Sequence, residues 1–415
     1  MEDAPADEPT PRGRWDSVGT GAGMVLDGVG LVRVDLPFLA PVGTSVGTHR
    51  RRPLVLVHLR CRSTGTGTVV DGWGECAALG DTAYDVEDAA GAWSTLERVL
   101  IPGLMATARP LGGRVPTAGA MQRLAALAPG RPLAFAALEA AVADAHLRAA
   151  GVSLAGLLGV VGCEVEPGAA VGAAATPAAL VAAVAGRAAE GYARVKVKIV
   201  PGTELAAVSA LVEWAATATG NVPRLQVDAN GAYGPDDIGR LAELDRFGLL
   251  CIEQPFAADD LPSHRALAAR TVTPVCLDES LDGPEAVHHA VSTGACSVVC
   301  VKPSRLGGIG RAIDVLGWCT AAGVPWWIGG MFESGLGRRV NTVLAALGGT
   351  SLPGDLAPPE AYLAADLVEP ERTRVDPSTG HLVVAVSDVP GLSPAPDPGA
   401  LDEHAVRWAE FAPGA

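Results

Sequence analysis

The sequence predicts an α/β protein: a TIM-like (β/α)7β barrel preceded by an α+β capping domain. Three observations carry that expectation. After Gly151, eight short apolar runs alternate with helical segments, the pattern of a parallel barrel. Before Gly151 the text is different in kind, with short β-type runs followed by helical stretches. Three successive barrel runs end in carboxylates, Asp228, Glu253 and Asp278, each 25 residues from the next, and Lys302 ends the run 24 residues further on. A chain of 415 residues exceeds the roughly 250 of a barrel by enough to add an accessory domain.

Taken in order, residues 1–25 are rich in Pro, Gly, Asp and Glu without periodic apolar positions and read as a disordered leader. Residues 26–150 form the capping domain. Its strands are expected at 30–34, 54–59 and 72–76 and its helices at about 86–107 and 132–150, where Glu139, Asp144 and Arg148 leave an apolar stripe. Residues 151–370 form the barrel, with strands at 169–173, 195–199, 225–228, 250–253, 275–278, 298–302 and 326–329 and a weak eighth near Ser351. Helices are expected between them at 177–190, 204–218, 235–246, 284–293 and 309–322, several opening on Thr-Pro, Gly-Pro or Gly-Gly. The alternative architecture, an open doubly wound sheet, lacks the glycine-rich phosphate loop that follows a strand in such folds. Residues 371–415 are Pro-rich and are expected to return to the capping domain.

Composition narrows the function classes. A formal charge of −15 argues against nucleic acid or anionic membrane as the main partner. No window runs about 18 apolar residues without a charged or turn residue, so no membrane span is expected. The start, Met1-Glu2-Asp3-Ala4-Pro5, lacks the basic and apolar regions of a secretory signal, and the eight cysteines include no CxxC pair, which suits a reducing cytoplasm. Cys251, Cys276 and Cys300 lie in apolar runs and read as small buried hydrophobes.

The chemistry begins with lysine. Of 31 Lys and Arg residues only Lys196, Lys198 and Lys302 are lysine. Arginine stays protonated at any working pH, whereas a buried lysine can give and take a proton, so all three are acid/base candidates. Strand alternation puts Lys196 and Lys198 on one face, and on an eight-position ring they stand opposite Lys302, with the three acids between. Three carboxylates aimed at one point need a cation, and hard oxygen donors suit one Mg²⁺. Such a dication about 6 Å from a lysinium, at an effective dielectric of ~20, acts with about 5–6 kcal/mol and draws its pKa toward neutrality. It would also hold a small-molecule carboxylate and stabilise the enediolate left when the α-proton departs.

These residues resemble the enolase superfamily over roughly 28–385. Lys196-Val-Lys198, Asp228-Ala-Asn230, Ile252-Glu253-Gln254-Pro255, Leu277-Asp278-Glu279-Ser280 and Lys302-Pro-Ser-Arg305-Leu-Gly-Gly308 are similar to the muconate-lactonising subgroup. Gly329-Gly330-Met331-Phe332-Glu333-Ser334 through Arg338 and Leu352-Pro353-Gly354-Asp355 resemble, more narrowly, N-acylamino acid racemases and o-succinylbenzoate synthases. The resemblance implies Lys198 and Lys302 as the acid/base pair, Lys196 as their electrostatic neighbour, and Asp228, Glu253 and Asp278 as ligands of Mg²⁺, with Mn²⁺ as a substitute. It implies racemisation of N-succinyl or other N-acyl amino acids, with o-succinylbenzoate synthesis by dehydration, or another epimerisation or cycloisomerisation, as alternatives. A homo-oligomer is expected. Asn230, Glu279, Arg305, Gly330, Met331 and Glu333 are candidates for substrate contact or for support of the groups that make it. For Asn230 and Glu279 helix capping is the alternative, and for Arg305 simple surface solvation. A mandelate-type histidine is not expected, because Gly329-Gly330-Met331 stands at the seventh strand. Two departures, Val42-Gly43 in the loop 40–48 and Ala170 on the first barrel strand, fall where the substrate's side chain and acyl group are expected.

Overall fold

A computed structural model describes residues 10–21, 23–44, 47–348 and 352–413. Its first layer is a four-stranded antiparallel sheet in the order Ala405–Phe411, Met24–Thr44, Gly47–Ser63, Val69–Cys76. The pairing of the last strand with the first, Val29 opposite Phe411, brings the far end of the chain back to the capping domain. Leu31, Val32, Leu54, Val55, Leu56, Val57 and Leu59 are fully buried in this sheet. The helix Pro132–Ala150 packs across it, with Pro in its first turn and Gly151 in the left-handed conformation at its end. Two of its free N-terminal amides, Leu133 N (2.9 Å) and Ala134 N (3.2 Å), donate to the Glu87 carboxylate. Gly72 and Gly74 explain how closely the Ala-rich helix approaches, because a Cβ at either would overlap the carbonyl oxygens of Ala141 and Ala137.

The barrel strands are Gly168–Val171, Arg194–Lys198, Arg224–Asp228, Ile252–Glu253, Val275–Leu277, Val298–Val301 and Trp326–Ile328, parallel and adjacent in chain order. The eighth strand expected near Ser351 falls on residues 349–351, outside the described residues. A strip just beyond closes the ring. Gly354 O accepts from Gly168 N (2.5 Å) on the first strand, and Asp355 N donates to Ile328 O (2.8 Å) on the seventh. Gly354 has no space for a Cβ, which would lie 2.8 Å from Ile328 O.

Three elements differ from expectation for identifiable reasons. Within the segment 1–25, residues 11–16 are helical and Trp15 is fully buried, so 10–21 is not a disordered leader; one tryptophan anchors it where no periodic stripe exists. Residues 1–9 lie outside the described residues. The helix expected at 86–107 runs as Ala89–Thr95, a wider π turn Leu96–Leu100, and Ile101–Ala108, the break falling before Pro102, which has no N–H to donate. Gly335–Ala345 is a helix outside the expected ranges: besides its apolar stripe of Leu336, Val340, Val343 and Leu344, the polar Arg338, Arg339, Asn341 and Thr342 are buried along it.

Candidate functional site

Period-two alternation along six consecutive barrel strands builds the site in two layers. The deeper layer is Lys196, Gln226, Cys251, Cys276, Cys300 and Trp327. Two residues further along the same strands come Lys198, Asp228, Glu253, Asp278, Lys302 and Gly329. The three cysteines are at most 2% exposed and cluster with Trp327, as small hydrophobes would. Strand register sets Lys198 opposite Asp228 and Asp228 opposite Glu253. All three carboxylates are buried.

The lysines divide among them. Lys198 Nζ donates to Asp228 Oδ2 (2.5 Å) and Asn230 Oδ1 (2.5 Å) and is one-third exposed. At the other end of the row Lys302 Nζ donates to Asp278 Oδ2 (2.7 Å) and to the Tyr84 hydroxyl. Lys196, buried below, bonds Glu253 Oε1 (3.0 Å) and Asp355 Oδ2 (2.7 Å) and lies 3.4 Å from Asp228 Oδ2. Gln226 donates to the second Glu253 oxygen, and Arg194 joins Gln226 Oε1 (2.6 Å) to Asp355.

The remaining candidates separate into two groups. Asn230 Nδ2 donates to Glu279 Oε1 (2.8 Å), so both belong to the network at Lys198. Arg305 is buried, not solvated: it pairs with Asp278 and with Asp85 Oδ2 (3.0 Å) of the capping domain, and its guanidinium lies 4.9 Å from the Tyr84 ring centre. Gly330, Met331 and Glu333 have contacts that run elsewhere. A Cβ on Gly330 would lie 2.8 Å from Asp355 O, Met331 N donates to Glu333 Oε1 (2.9 Å), and Glu333 pairs with Arg338 (2.7 Å) and Asn341 (3.0 Å) where cap and barrel join. Asn230, Gln254 and Phe332, each just beyond a barrel strand, hold positive φ of 43°, 37° and 55°, a strained conformation characteristic of functional sites. Gln254 holds the turn after the next barrel strand by accepting Asp278 N (3.0 Å) and Ser280 N (3.2 Å) on one oxygen.

Residues 179–400 match the model of the enolase C-terminal domain-like family, and residues 28–159 match the mandelate racemase/muconate lactonizing enzyme N-terminal domain. The chain belongs to the enolase superfamily. It is 42% identical to an N-succinylamino acid racemase of Amycolatopsis over 92% of this chain and 97% of that one. It is 36% identical to an o-succinylbenzoate synthase of Geobacillus stearothermophilus over 87% and 91%. An enolase-superfamily protein of Listeria innocua superposes with a TM-score of 0.84 at 28% identity, over 94% of this chain and 100% of that one. The protein is thus an enzyme of the isomerase or lyase type that these relatives represent, built on the superfamily's capped TIM barrel.

The electrostatics of this superfamily site follow from crowding. Burial, together with Asp228 and Asp278, raises the Glu253 carboxyl to about 8 despite Lys196. Burial would lift Asp278 as well, but Lys302 and Arg305 outweigh it and hold the group far below the usual carboxylate range. Burial likewise depresses Lys196 and Lys302, and the acids around them more than reverse it: Asp355 and Glu253 for Lys196, Asp278 for Lys302. The chain's own charges therefore favour the ammonium form of both. Among the described residues, the group of three or more Asp, Glu, Cys or His side chains whose donor atoms all lie within 4.8 Å of one another is Glu253, Cys300 and Asp355, not Asp228, Glu253 and Asp278. Lys196 already neutralises two of the three, and burial keeps the Cys300 thiol protonated.

Sequence reasoning missed Tyr84, Asp85 and a role for Asp355. Asp355 ends the motif Leu352-Pro353-Gly354-Asp355, and its place directly after Gly354 is a usable signal. Tyr84 and Asp85 sit in a polar loop of the other domain and gave none. Of the loop 40–48, residues 45 and 46 lie outside the described residues.

Proposed function

We propose that this enzyme removes the proton α to a carboxylate and racemises N-acyl amino acids, N-succinyl substrates above all, with Lys198 and Lys302 as its two bases. The observation that carries the reading is the placement of two lysines at opposite ends of one carboxylate row, Lys198 on Asp228 and Lys302 on Asp278. Inversion needs a group on each side of the α-carbon, one to take the proton and one to return it. The name and the 42% identity of the Amycolatopsis relative support the same choice.

Asp228, Glu253 and Asp278 are the residues that would hold Mg²⁺, or Mn²⁺ in its stead. Their hard oxygen donors fit it, and the three acids end neighbouring barrel strands, with Asp228 opposite Glu253 in the strand register. Held there, the ion would supply positive charge that favours the substrate carboxylate as the α-proton leaves. The chain's own residues do the rest. Lys198 and Lys302 move the proton at Nζ, and Lys196, held by Glu253 and Asp355, contributes a fixed charge beneath them. Arg305, against Asp278 and Tyr84, adds a cation beside Lys302 that favours its neutral form. The capping loop that carries Tyr84 and Asp85 covers this end of the site.

A second reading, o-succinylbenzoate synthesis, rests on the 36% identical relative and needs only one base to start the elimination. The test is incubation with Mg²⁺ and separate L and D N-succinyl amino acids in D₂O, followed by proton NMR. Racemisation deuterates both enantiomers and interconverts them; dehydration of the cyclohexadiene precursor with no such exchange would overturn the proposal. Lys198→Arg and Lys302→Arg keep the charge and lose the base, so each is expected to lower racemisation by at least ~10² and to retain exchange on one enantiomer only, a different one for each.

A further inference from the structure

Residues 10–21 precede the matched N-terminal domain, which starts at residue 28, yet they reach a junction directly behind the site. Thr10 caps the short helix Pro11–Asp16 by accepting Gly13 N (3.2 Å). Trp15 shares a buried cluster with Ala143 and Leu147 of the capping helix and with Leu306, Ile309 and Ile313 of the barrel. Arg12 NH1 donates to Gly310 O (2.8 Å) and pairs with Asp314 Oδ2 (2.7 Å). Three bodies meet at Gly310: a Cβ there would lie 2.8 Å from Trp15 Nε1, 3.1 Å from Arg12 NH1 and 3.2 Å from Glu139 Oε1. Glu139, on the capping helix, also accepts Ile309 N (2.6 Å).

From this junction the chain runs back to Lys302 through closed turns, with Gly308 N on Pro303 O (2.8 Å), Gly307 N on Ser304 O (3.1 Å) and Leu306 N on Lys302 O (3.0 Å). The same stretch carries Arg305. A shift of Ile309 and Gly310 is therefore passed to both side chains, with little slack to absorb it. We infer that residues 10–21 are a strap that anchors the outer end of 302–310 between the two domains, and that Trp15 and Arg12 are positioning residues for Lys302 and Arg305. The kinetic half of this inference rests on the reading of Lys302 as a base; the structural half does not.

The test combines hydrogen–deuterium exchange by mass spectrometry with α-deuteration kinetics on an N-succinyl amino acid, in full-length Trp15→Ala, Arg12→Ala and Trp15→Phe. In Trp15→Ala, amides 305–312 are expected to exchange about tenfold faster while those of 54–59 keep the parent rate, since local opening need not follow global stability. The kcat is expected to fall about tenfold with KM within about twofold, because misplacement of a reacting group by 1 Å can cost ~10². Trp15→Phe should restore both. Should Trp15→Ala fail to fold, Arg12→Ala carries the test, its side chain lying near the surface, with a smaller rise in the same amides. Parent-like exchange at 305–312, or an equal rise at 54–59, would overturn the strap. Raised exchange with unchanged kcat would overturn its positioning role. A parent enzyme that deuterates nothing would instead refute the proposed racemisation and leave the exchange result standing.

Discussion

Gly329→Ala is a direct test of how tightly the site holds Lys302. A methyl group at 329 would lie 2.6 Å from Cys300 Sγ and 2.9 Å from both Cγ and Cε of Lys302. The backbone cannot retreat, because Gly329 N is bonded to Val301 O (2.8 Å) and the neighbouring Ile328 O holds the closing strip through Asp355 N (2.8 Å). Carbon atoms prefer about 3.5–4.0 Å, so the lysine stem must move by roughly 0.6–1 Å. Overpacking of this kind costs about 1–3 kcal/mol of stability. The same displacement, carried to Nζ, pulls it from Asp278 and Tyr84 and should slow proton transfer by as much as ~10². The assay is α-deuteration of each N-succinyl enantiomer in turn. The loss should fall on the enantiomer that Lys302 serves, while exchange through Lys198 stays within about threefold, and adding Cys300→Ala should recover part of it by opening the tightest contact. Parent rates on both enantiomers, or equal losses on both with an unchanged melting temperature, would refute the reasoning.

Asp228→Asn and Glu253→Gln should each abolish turnover and weaken Mg²⁺ binding at least about tenfold by calorimetry, since neither neighbour can replace the lost charge; parent affinity in both would remove them as ligands. Tyr84→Phe keeps the ring, whose centre lies 4.6 Å from Lys302 Nζ and 4.9 Å from the Arg305 guanidinium, and deletes a hydroxyl that donates to Asp278 Oδ2 (2.6 Å). A bond to a charged group is worth about 1.5–3 kcal/mol, so the melting temperature should fall, and with the hold on Asp278 and Lys302 loosened kcat should drop at least about tenfold; an unchanged kcat would show the bond to be idle. Glu75 offers a pH test away from the lysines. Burial, opposed by the Ser334 hydroxyl and reinforced by Glu333, raises its carboxyl from 4.5 to about 8. Between those values the folded chain keeps a proton that the unfolded chain releases, so stability is fullest below 4.5 and declines as pH rises to about 8. Melting temperature should therefore fall from pH 5 to 8 more steeply in the parent than in Glu75→Gln, and parallel curves would contradict the assignment.

The barrel was legible because each inner strand is an apolar run ending in a charge. The alternation that buries Cys251 also delivers Glu253, and the pairs Cys276 with Asp278 and Cys300 with Lys302 repeat it. Spacing of one strand–helix unit then named the row of acids without any contact being known. What stayed hidden depends on contacts distant in sequence. Tyr84 meets Lys302 across 218 residues and has no periodicity of its own to mark it. Along the helix Gly335–Ala345 the stripe of Leu336, Val340, Val343 and Leu344 is visible in the sequence, but nothing there marks Arg338, Arg339 and Asn341 on its other faces as buried. Trp15 was a single aromatic in a polar segment, and only the groove it fills explains it.

The strip at Gly354-Asp355 also has a consequence for the order in which the enzyme comes into being. Asp355 is joined to the closure of the ring by its backbone and to Lys196 by its side chain, across 159 residues of chain. On the ribosome Lys196, Asp228 and Glu253 emerge long before the residue that completes their charge balance. A nascent or truncated chain holding six or seven strands would leave Arg194 and Lys196 without that counterion, and desolvating them there is costly. Burying Arg194 and Lys196 in a chain cut before Asp355 therefore costs more than in the full chain, and the residue that closes the ring is also the one that completes their pairing.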